Sequence, residues 1–274
     1  MNRLSRRLAA AGPLVVGFSG GVDSGLLAHV ALEVLGAPNV LAVTARSPSV
    51  ATGELDLCRD LAASWGLPWI AVDTDEMSRA GYVANGPDRC AWCREALMDR
   101  LAPIAAERGA VVALGVNLDD LDDHRPGQAV ARRRGAVFPL VDAGLSKADV
   151  RTLARRRGLS TWNRPASPCL SSRIPYGTPV TVPLLRRLDR AEAAVRSLGF
   201  SDVRVRHHGD IARIEVPRAE LGRAVERSDE LTTRLRSLGY RYVVLDLAGL
   251  RSGNLNWALT TAAAAVPGDG DGFA

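Results

Sequence analysis

The chain has 274 residues, 47% hydrophobic and 24% charged, which supplies a core for one large domain or two modest ones and excludes a largely disordered protein. Thirty-five Lys plus Arg against thirty Asp plus Glu give +5, but residues 1–165 carry +2 and residues 166–274 carry +3, so neither half is a basic arm and nucleic acid is not an expected partner. No apolar run reaches the ~18 residues of a membrane span, and Met1 to Arg7 leads into a short strand-like stretch instead of a signal-peptide core, so a cytoplasmic protein with reduced thiols and no membrane partner is expected.

Strand-like runs at 14–18, 40–44, 69–72 and 111–116 alternate with helical patterns at 24–35, 53–65 and 94–107. Such alternation predicts an α/β fold, a parallel sheet with helices on both faces. Ligands of these sheets bind beyond the carboxyl ends of the strands, which directs attention to the loops after Phe18, Thr44, Val72 and Val116. From Thr161 to Pro183 the chain carries Pro165, Pro168, Pro175, Pro179 and Pro183, too many for a helix. Beyond it, a helix at 184–198, strands at 203–207 and 211–216, helices within 218–238 and a strand at 240–247 predict a smaller α+β domain. The expected division is 1–165 for ligand binding, 166–182 for an active-site loop or linker, 183–258 for substrate binding or oligomerisation, and 259–274 for a frayed tail.

The strongest motif is Gly17-Phe18-Ser19-Gly20-Gly21-Val22-Asp23-Ser24, placed between a buried strand and a helix. Small residues let backbone N–H groups converge on phosphate oxygens, and the helix N-terminus adds its positive dipole end. A Walker A loop would need a lysine here and a dinucleotide fingerprint a third glycine; neither is present. Lys147 is the only lysine in the chain, the other 34 cations being arginine, a bias read as codon usage. After the strand at 111–116 comes Asn117-Leu118-Asp119-Asp120-Leu121-Asp122-Asp123-His124-Arg125-Pro126-Gly127, with four aspartates in five residues. These suit a Mg²⁺ site or an acidic capping turn.

Cys90 and Cys93 form a CxxC, and Cys169 sits in the proline-rich stretch. Three such thiolates suit a zinc ion lacking one ligand or an iron–sulfur cluster with an open iron, with a redox pair or an inert pair as alternatives. Cys58 shares a helical face with Leu55, Leu61, Ala62 and Trp65 and reads as a core thiol. The segment 203–216 alternates as a hairpin with Val203, Val205, Ile214 and Val216 inward. Arg204 and Arg206 then share the other face with Arg213 and Glu215, as an anion-binding fork array or a solvated sheet face. His207 and His208 read as turn residues.

The Ser-Gly-Gly-x-Asp-Ser unit resembles the PP-loop of the ATP pyrophosphatase superfamily. With the segments at 115–127, 165–177, 203–216 and 242–253, the chain resembles, over about residues 10–257, the pyridinium-3,5-biscarboxylic acid mononucleotide sulfurtransferase family (LarE-type). That resemblance implies an enzyme that adenylates both substrate carboxylates with ATP and converts them to thiocarboxylates in nickel-pincer nucleotide biosynthesis, with sulfide or another donor supplying sulfur. It carries the nucleotide to Ser19, Gly20, Gly21, Asp23, Ser24, Thr44, Ser47, Gly115 and Asn117, Mg²⁺ to Asp23 and Asp120, and the substrate anions to Arg173, Arg204 and Arg206. Cys169 and Asp23 become the catalytic residues, and a homo-oligomer is expected. Some members use a cysteine at the position of Cys169 as a sacrificial sulfur donor. Here Cys90 and Cys93 favour the cluster-dependent version, in which three cysteines hold a 4Fe-4S cluster. Competing classes are a tRNA-thiolating PP-loop enzyme, an amide-forming ATP pyrophosphatase and a nucleotide-sensing domain.

Overall fold

The computed structural model describes residues 3–121 and 126–251. Asp122, Asp123, His124, Arg125 and the tail expected at 259–274 lie outside them. The chain divides into two compact units: the first runs to Cys169 and includes Tyr176–Val182, and the second comprises Leu170–Pro175 and the residues from Pro183 onward. The proline-rich stretch is therefore shared between the units instead of forming one linker over 166–182.

In the first unit the chain order is α1 (Arg3–Ala11), β1 (Leu14–Gly17), α2 (Val22–Leu35), β2 (Val40–Arg46), α3 (Glu54–Trp65), β3 (Trp69–Asp73), α4 (Ala80–Val83), α5 (Arg89–Glu107), β4 (Val111–Leu114), α6 (Pro126–Arg133), α7 (Pro139–Asp142) and α8 (Lys147–Arg156). α1 occupies the segment read from sequence as a lead into a strand; Leu4 and Leu8, one turn apart, are both buried. The four strands are all parallel in the order β3-β2-β1-β4. Their side chains alternate between two cores. Leu14, Val16, Val40 and Ala42 pack with α1, α2 and α8, while Val15, Leu41 and Val43 pack with Met98, Leu101 and Ala105 of α5. Burial on both faces is why these strands read as continuous apolar runs. Strand order reverses between β1 and β4, and the crevice beyond their carboxyl ends is where such a sheet places its ligand.

α5 starts at Arg89, ahead of the predicted Arg94, so Cys90 and Cys93 lie on its first turns. The apolar periodicity that marks the rest of the helix is missing from Arg-Cys-Ala-Trp-Cys, which hid this start from sequence reading.

The second unit contains α9 (Val182–Arg196, entering from the first unit), β5 (Arg204–His208), β6 (Ile211–Glu215), α10 (Leu221–Glu226), α11 (Ser228–Ser237) and β7 (Tyr242–Leu245). β5 pairs antiparallel with β6, and β6 pairs parallel with β7 across the α10 and α11 crossover. Val203, Val205, Ile214 and Val216 point into a core with Ala191, Val195, Leu231 and Leu235, as the alternation predicted. His207 and His208 belong to β5, with Gly209 at φ +63° making the turn. No helix among the described residues is long and apolar enough to cross a membrane.

Candidate active site

The loop after β1 turns on Gly20, whose φ of +68° is left-handed and favours glycine. The Ser24 hydroxyl oxygen accepts the Ser19 N–H at 3.1 Å and lies 3.0 Å from the Ser19 hydroxyl. No side chain caps α2, whose N-cap is Gly21. Its first N–H groups are thus left to an external acceptor, as a phosphate site requires. From outside the motif, the Arg164 guanidinium donates to the Gly20 carbonyl at 3.0 Å and to both Glu54 oxygens at 2.6 and 2.7 Å. The Ser167 hydroxyl donates to Glu54 at 3.1 Å. Arg164 and Glu54 therefore tie the phosphate loop to the segment that leads into Cys169. Neither was singled out from sequence.

Gly115 follows β4 against the start of α2. A Cβ there would sit 2.7 Å from the Ser24 nitrogen and 2.9 Å from the Asp23 carbonyl carbon, so only glycine allows this approach. Asn117 is buried; its Nδ2 donates to Asp23 at 3.0 Å, and its own N–H donates to Asp120 at 3.1 Å. Asp119 accepts the Lys147 N–H at 3.2 Å. The Lys147 ammonium pairs with the other Asp23 oxygen. Asp119 and Asp120 thus fix backbone N–H groups around Asp23, and the lysine missing from the motif arrives from the start of α8.

Thr44 and Ser47 were expected to contact nucleotide. Thr44 is buried, donating to the Phe18 carbonyl at 2.7 Å and accepting from Trp69 Nε1 at 2.8 Å; it braces β2 against the phosphate loop. Ser47 donates to the buried Glu76 and lies 2.9 Å from the Ser49 hydroxyl.

A cavity of about 430 Å³ opens beyond the strand ends, lined by Ser19, Asp23, Ser24, Thr44, Gly115, Cys90, Cys93 and Cys169 among others. Phosphate cradle and all three thiols share it. Cys90 is exposed, and Cys93 and Cys169 are half-buried. Burial, then the neighbouring Cys169, pushes the Cys90 thiol up. Burial, then Cys169 and then Glu76, pushes Cys93 up to about 12. The three thiols are close enough to feel one another, yet among the described residues no three His, Cys, Asp or Glu side chains converge tightly enough to hold a metal ion. Beside them the buried Arg89 donates to Asn85, itself fully buried, and lies 5.8 Å from the Tyr176 ring. Cys58 is buried in the core, as read from sequence, with its thiol raised to about 11 chiefly by burial.

Arg173, Arg204 and Arg206 belong to the second unit. Arg204 and Arg206, each 7% exposed, do not lie on a solvated sheet face, and Arg173 is 3% exposed. Arg173 grips the fully buried Glu192 at 2.8 and 3.3 Å. Arg206 grips the fully buried Glu215 at 2.5 and 3.0 Å. Burial, then the nearby Arg173, lowers the Arg204 pKa. Arg196 joins Glu192 at 2.7 Å and Arg213 joins Glu215 at 3.0 Å, so each buried carboxylate gathers two arginines.

A family model described as NAD synthase matches residues 4–97. An uncharacterized protein of Synechocystis sp. is 43% identical over 249 residues, covering 90% of this chain and 92% of that protein. The pyridinium-3,5-bisthiocarboxylic acid mononucleotide synthase of Lactiplantibacillus plantarum is 42% identical over 250 residues, 91% of each chain. An uncharacterized protein of Methanocaldococcus jannaschii is 23% identical over 240 residues, covering 87% of this chain and 91% of its own. The NAD synthase match ends within the first unit, whereas these relatives extend across both.

Proposed function

Because the chain belongs to the pyridinium-3,5-biscarboxylic acid mononucleotide sulfurtransferase family, ATP-dependent enzymes of the PP-loop superfamily, we propose that it adenylates the carboxylates of that mononucleotide and replaces one oxygen of each with sulfur. A carboxylate oxygen attacks the α-phosphorus of ATP and displaces pyrophosphate. Sulfur then attacks the acyl carbon and AMP leaves, giving the thiocarboxylate. The observation that carries this reading is the single cavity lined by phosphate cradle and thiols together, since an acyl adenylate formed elsewhere would be hydrolysed before sulfur reached it.

Ser19, Gly20, Gly21 and Ser24 hold the departing pyrophosphate through N–H and hydroxyl groups already oriented before substrate arrives. Asp23 would hold a Mg²⁺, which when bound supplies positive charge to neutralise that pyrophosphate. Gly115 and Asn117 set the Asp23 position and admit the nucleotide. Arg173, Arg204 and Arg206 hold the phosphate or second carboxylate of the substrate.

Cys90, Cys93 and Cys169 fit a 4Fe-4S cluster. All three line that one cavity, and thiolates are the ligands such a cluster takes on its irons. When bound, such a cluster supplies an open iron that carries a transferable sulfide. The chain's own part includes giving up the Cys90 and Cys93 thiol protons on loading, because burial favours the protonated form of both in the free protein. Anaerobic purification with iron, sulfide and visible-absorption measurement tests this: iron and sulfide are expected in near-equal amounts, and Cys90→Ala should lose both. An iron-free protein that transfers sulfur while Cys169 loses the mass of H₂S would establish the sacrificial reading instead.

A further inference from the structure

Among the described residues Asn85 is the only one other than glycine with a left-handed backbone, at φ +57°, and it is fully buried. Asparagine tolerates that conformation, but a turn alone would be served as well by glycine. What glycine lacks is the side-chain amide, and both ends of this amide are used. Its Nδ2 donates to the Thr178 carbonyl at 2.8 Å, and its Oδ1 accepts from the Arg89 guanidinium. The backbone adds two bonds: the Gly177 N–H donates to the Asn85 carbonyl at 3.1 Å, and the Val180 N–H to the Val83 carbonyl at 2.9 Å. Arg89, itself buried, lies 5.8 Å from the centre of the Tyr176 ring. Residues 83–89 thus clasp residues 176–180, all within the first unit. The two stretches so joined are those that carry the thiols. Arg89 opens α5, followed directly by Cys90 and, one turn on, by Cys93. The first unit breaks off after Cys169 and resumes at Tyr176, so the clasp holds the chain on the far side of Cys169. Arg164 and Ser167 hold the near side through Glu54.

We propose that Asn85 is a positioning residue for sulfur transfer, whose amide, through Thr178 and Arg89, sets Cys169 against Cys90 and Cys93. Thiols that serve one sulfur-carrying centre must stand in register, and a displacement of about 1 Å in a reacting site can cost 100-fold in rate. Cys90 and Cys93 share a helix and keep their own spacing, whereas Cys169 comes from a proline-rich stretch with no regular structure to fix it. A buried amide with both ends hydrogen-bonded is a stiff strut, because swinging either end away leaves a polar group buried without a partner. Arg89, at the other end of that strut, lines the same cavity as the three thiols. The Cys90 and Cys93 thiols both feel Cys169, as the register requires.

The role rests on the sulfur-transfer reading above, but its geometry is tested without a catalytic step. Asn85→Gly keeps the left-handed turn and removes only the amide. Full-length protein, metal-free and reduced, is treated with dibromobimane, a short reagent that bridges two neighbouring thiols, and the bridged peptides are quantified by mass spectrometry. Wild-type protein is expected to give Cys90–Cys93 bridges and bridges from either of these to Cys169. In Asn85→Gly the ratio of Cys169 bridges to Cys90–Cys93 bridges should fall about three- to tenfold, the range of one buried hydrogen bond. The Cys90–Cys93 bridge, internal to α5, is the standard against which a general change in reactivity cancels. Asn85→Asp keeps an oxygen for Arg89 but its carboxylate has no N–H for Thr178; the same fall is expected, and this variant decides the question if Asn85→Gly does not fold. An unchanged ratio in a folded variant, or no Cys169 bridge in wild-type protein, overturns the assignment. Wild-type protein and variants that show the expected ratios while the wild type transfers no sulfur to the mononucleotide would overturn the functional reading and leave the placement of Cys169 by Asn85 standing.

Discussion

The two units use charge in opposite ways. In the first, Asp23, Lys147 and Asn117 stand at the edge of a cavity, connected by single contacts that a ligand can exchange. In the second, Arg173 and Arg206 are sealed against Glu192 and Glu215, both 0% exposed. A loosely tied charge can change partners during a reaction. A sealed pair fixes geometry, and what it offers a ligand is only the charge left over. The difference teaches that an arginine fork legible in sequence is not thereby open for binding.

The largest expected effect falls within the first unit, at Cys169→Ala. It removes a thiol from the cavity wall but none of the phosphate cradle, so sulfur transfer should fall below detection while pyrophosphate release stays within about twofold in a single turnover. Parallel loss of both would mean that Cys169 shapes the adenylation site as well.

Next in size is Glu192→Ala, which leaves Arg173 buried without its main carboxylate and should destabilise the second unit by about 3–5 kcal/mol in denaturant unfolding. Replacing Arg206 and Glu215 together by methionine should be near neutral in stability, or stabilising by about 1–4 kcal/mol, yet weaken substrate binding. A double variant that binds substrate normally would show the Arg206 pair to be scaffold alone. In the first unit, Gly115→Ala forces a methyl against the α2 backbone at 2.7 Å. We expect a cost of about 1–3 kcal/mol in thermal unfolding, with a raised KM for ATP as the phosphate loop is displaced.

Much of this was legible beforehand because it depends on local pattern. The sheet announced itself through apolar runs, the cradle through Ser-Gly-Gly-x-Asp-Ser, and the hairpin through Val203, Val205, Ile214 and Val216. What escaped depends on distant partners. Nothing local marks Glu192 on an amphipathic helix as the carboxylate that seals Arg173, or Lys147 as a partner of Asp23. The start of α5 was missed for a different reason: its first turns are set by chemistry at the cavity and not by a core-facing stripe. Thr44 shows the converse. Its place beyond a strand suggested nucleotide, but both functions of its hydroxyl are used inside the scaffold.

The smallest expected effect contrasts the units through histidine. His29 in the first unit and His207 in the second both have pKa values lowered from 6.5, chiefly by burial. His29 has Glu33 at 3.5 Å to offset that penalty. His207 instead feels Arg187 and then His208, which lower it further, whereas the Nδ1 atoms of His29 and His207 alike make no hydrogen bond among the described residues. A histidine kept neutral by folding contributes stability that is complete above 6.5 and is lost as pH falls through the lower folded value, because the unfolded chain then binds the extra proton. The second unit should therefore lose more stability than the first on acidification from about pH 7 to about pH 5. His207→Leu should flatten that acid limb, measured as denaturant midpoint against pH, while the corresponding change at His29 flattens it less. Equal slopes in the two variants would mean that Glu33 offers His29 no compensation in solution and that the contrast between the units does not extend to their histidines.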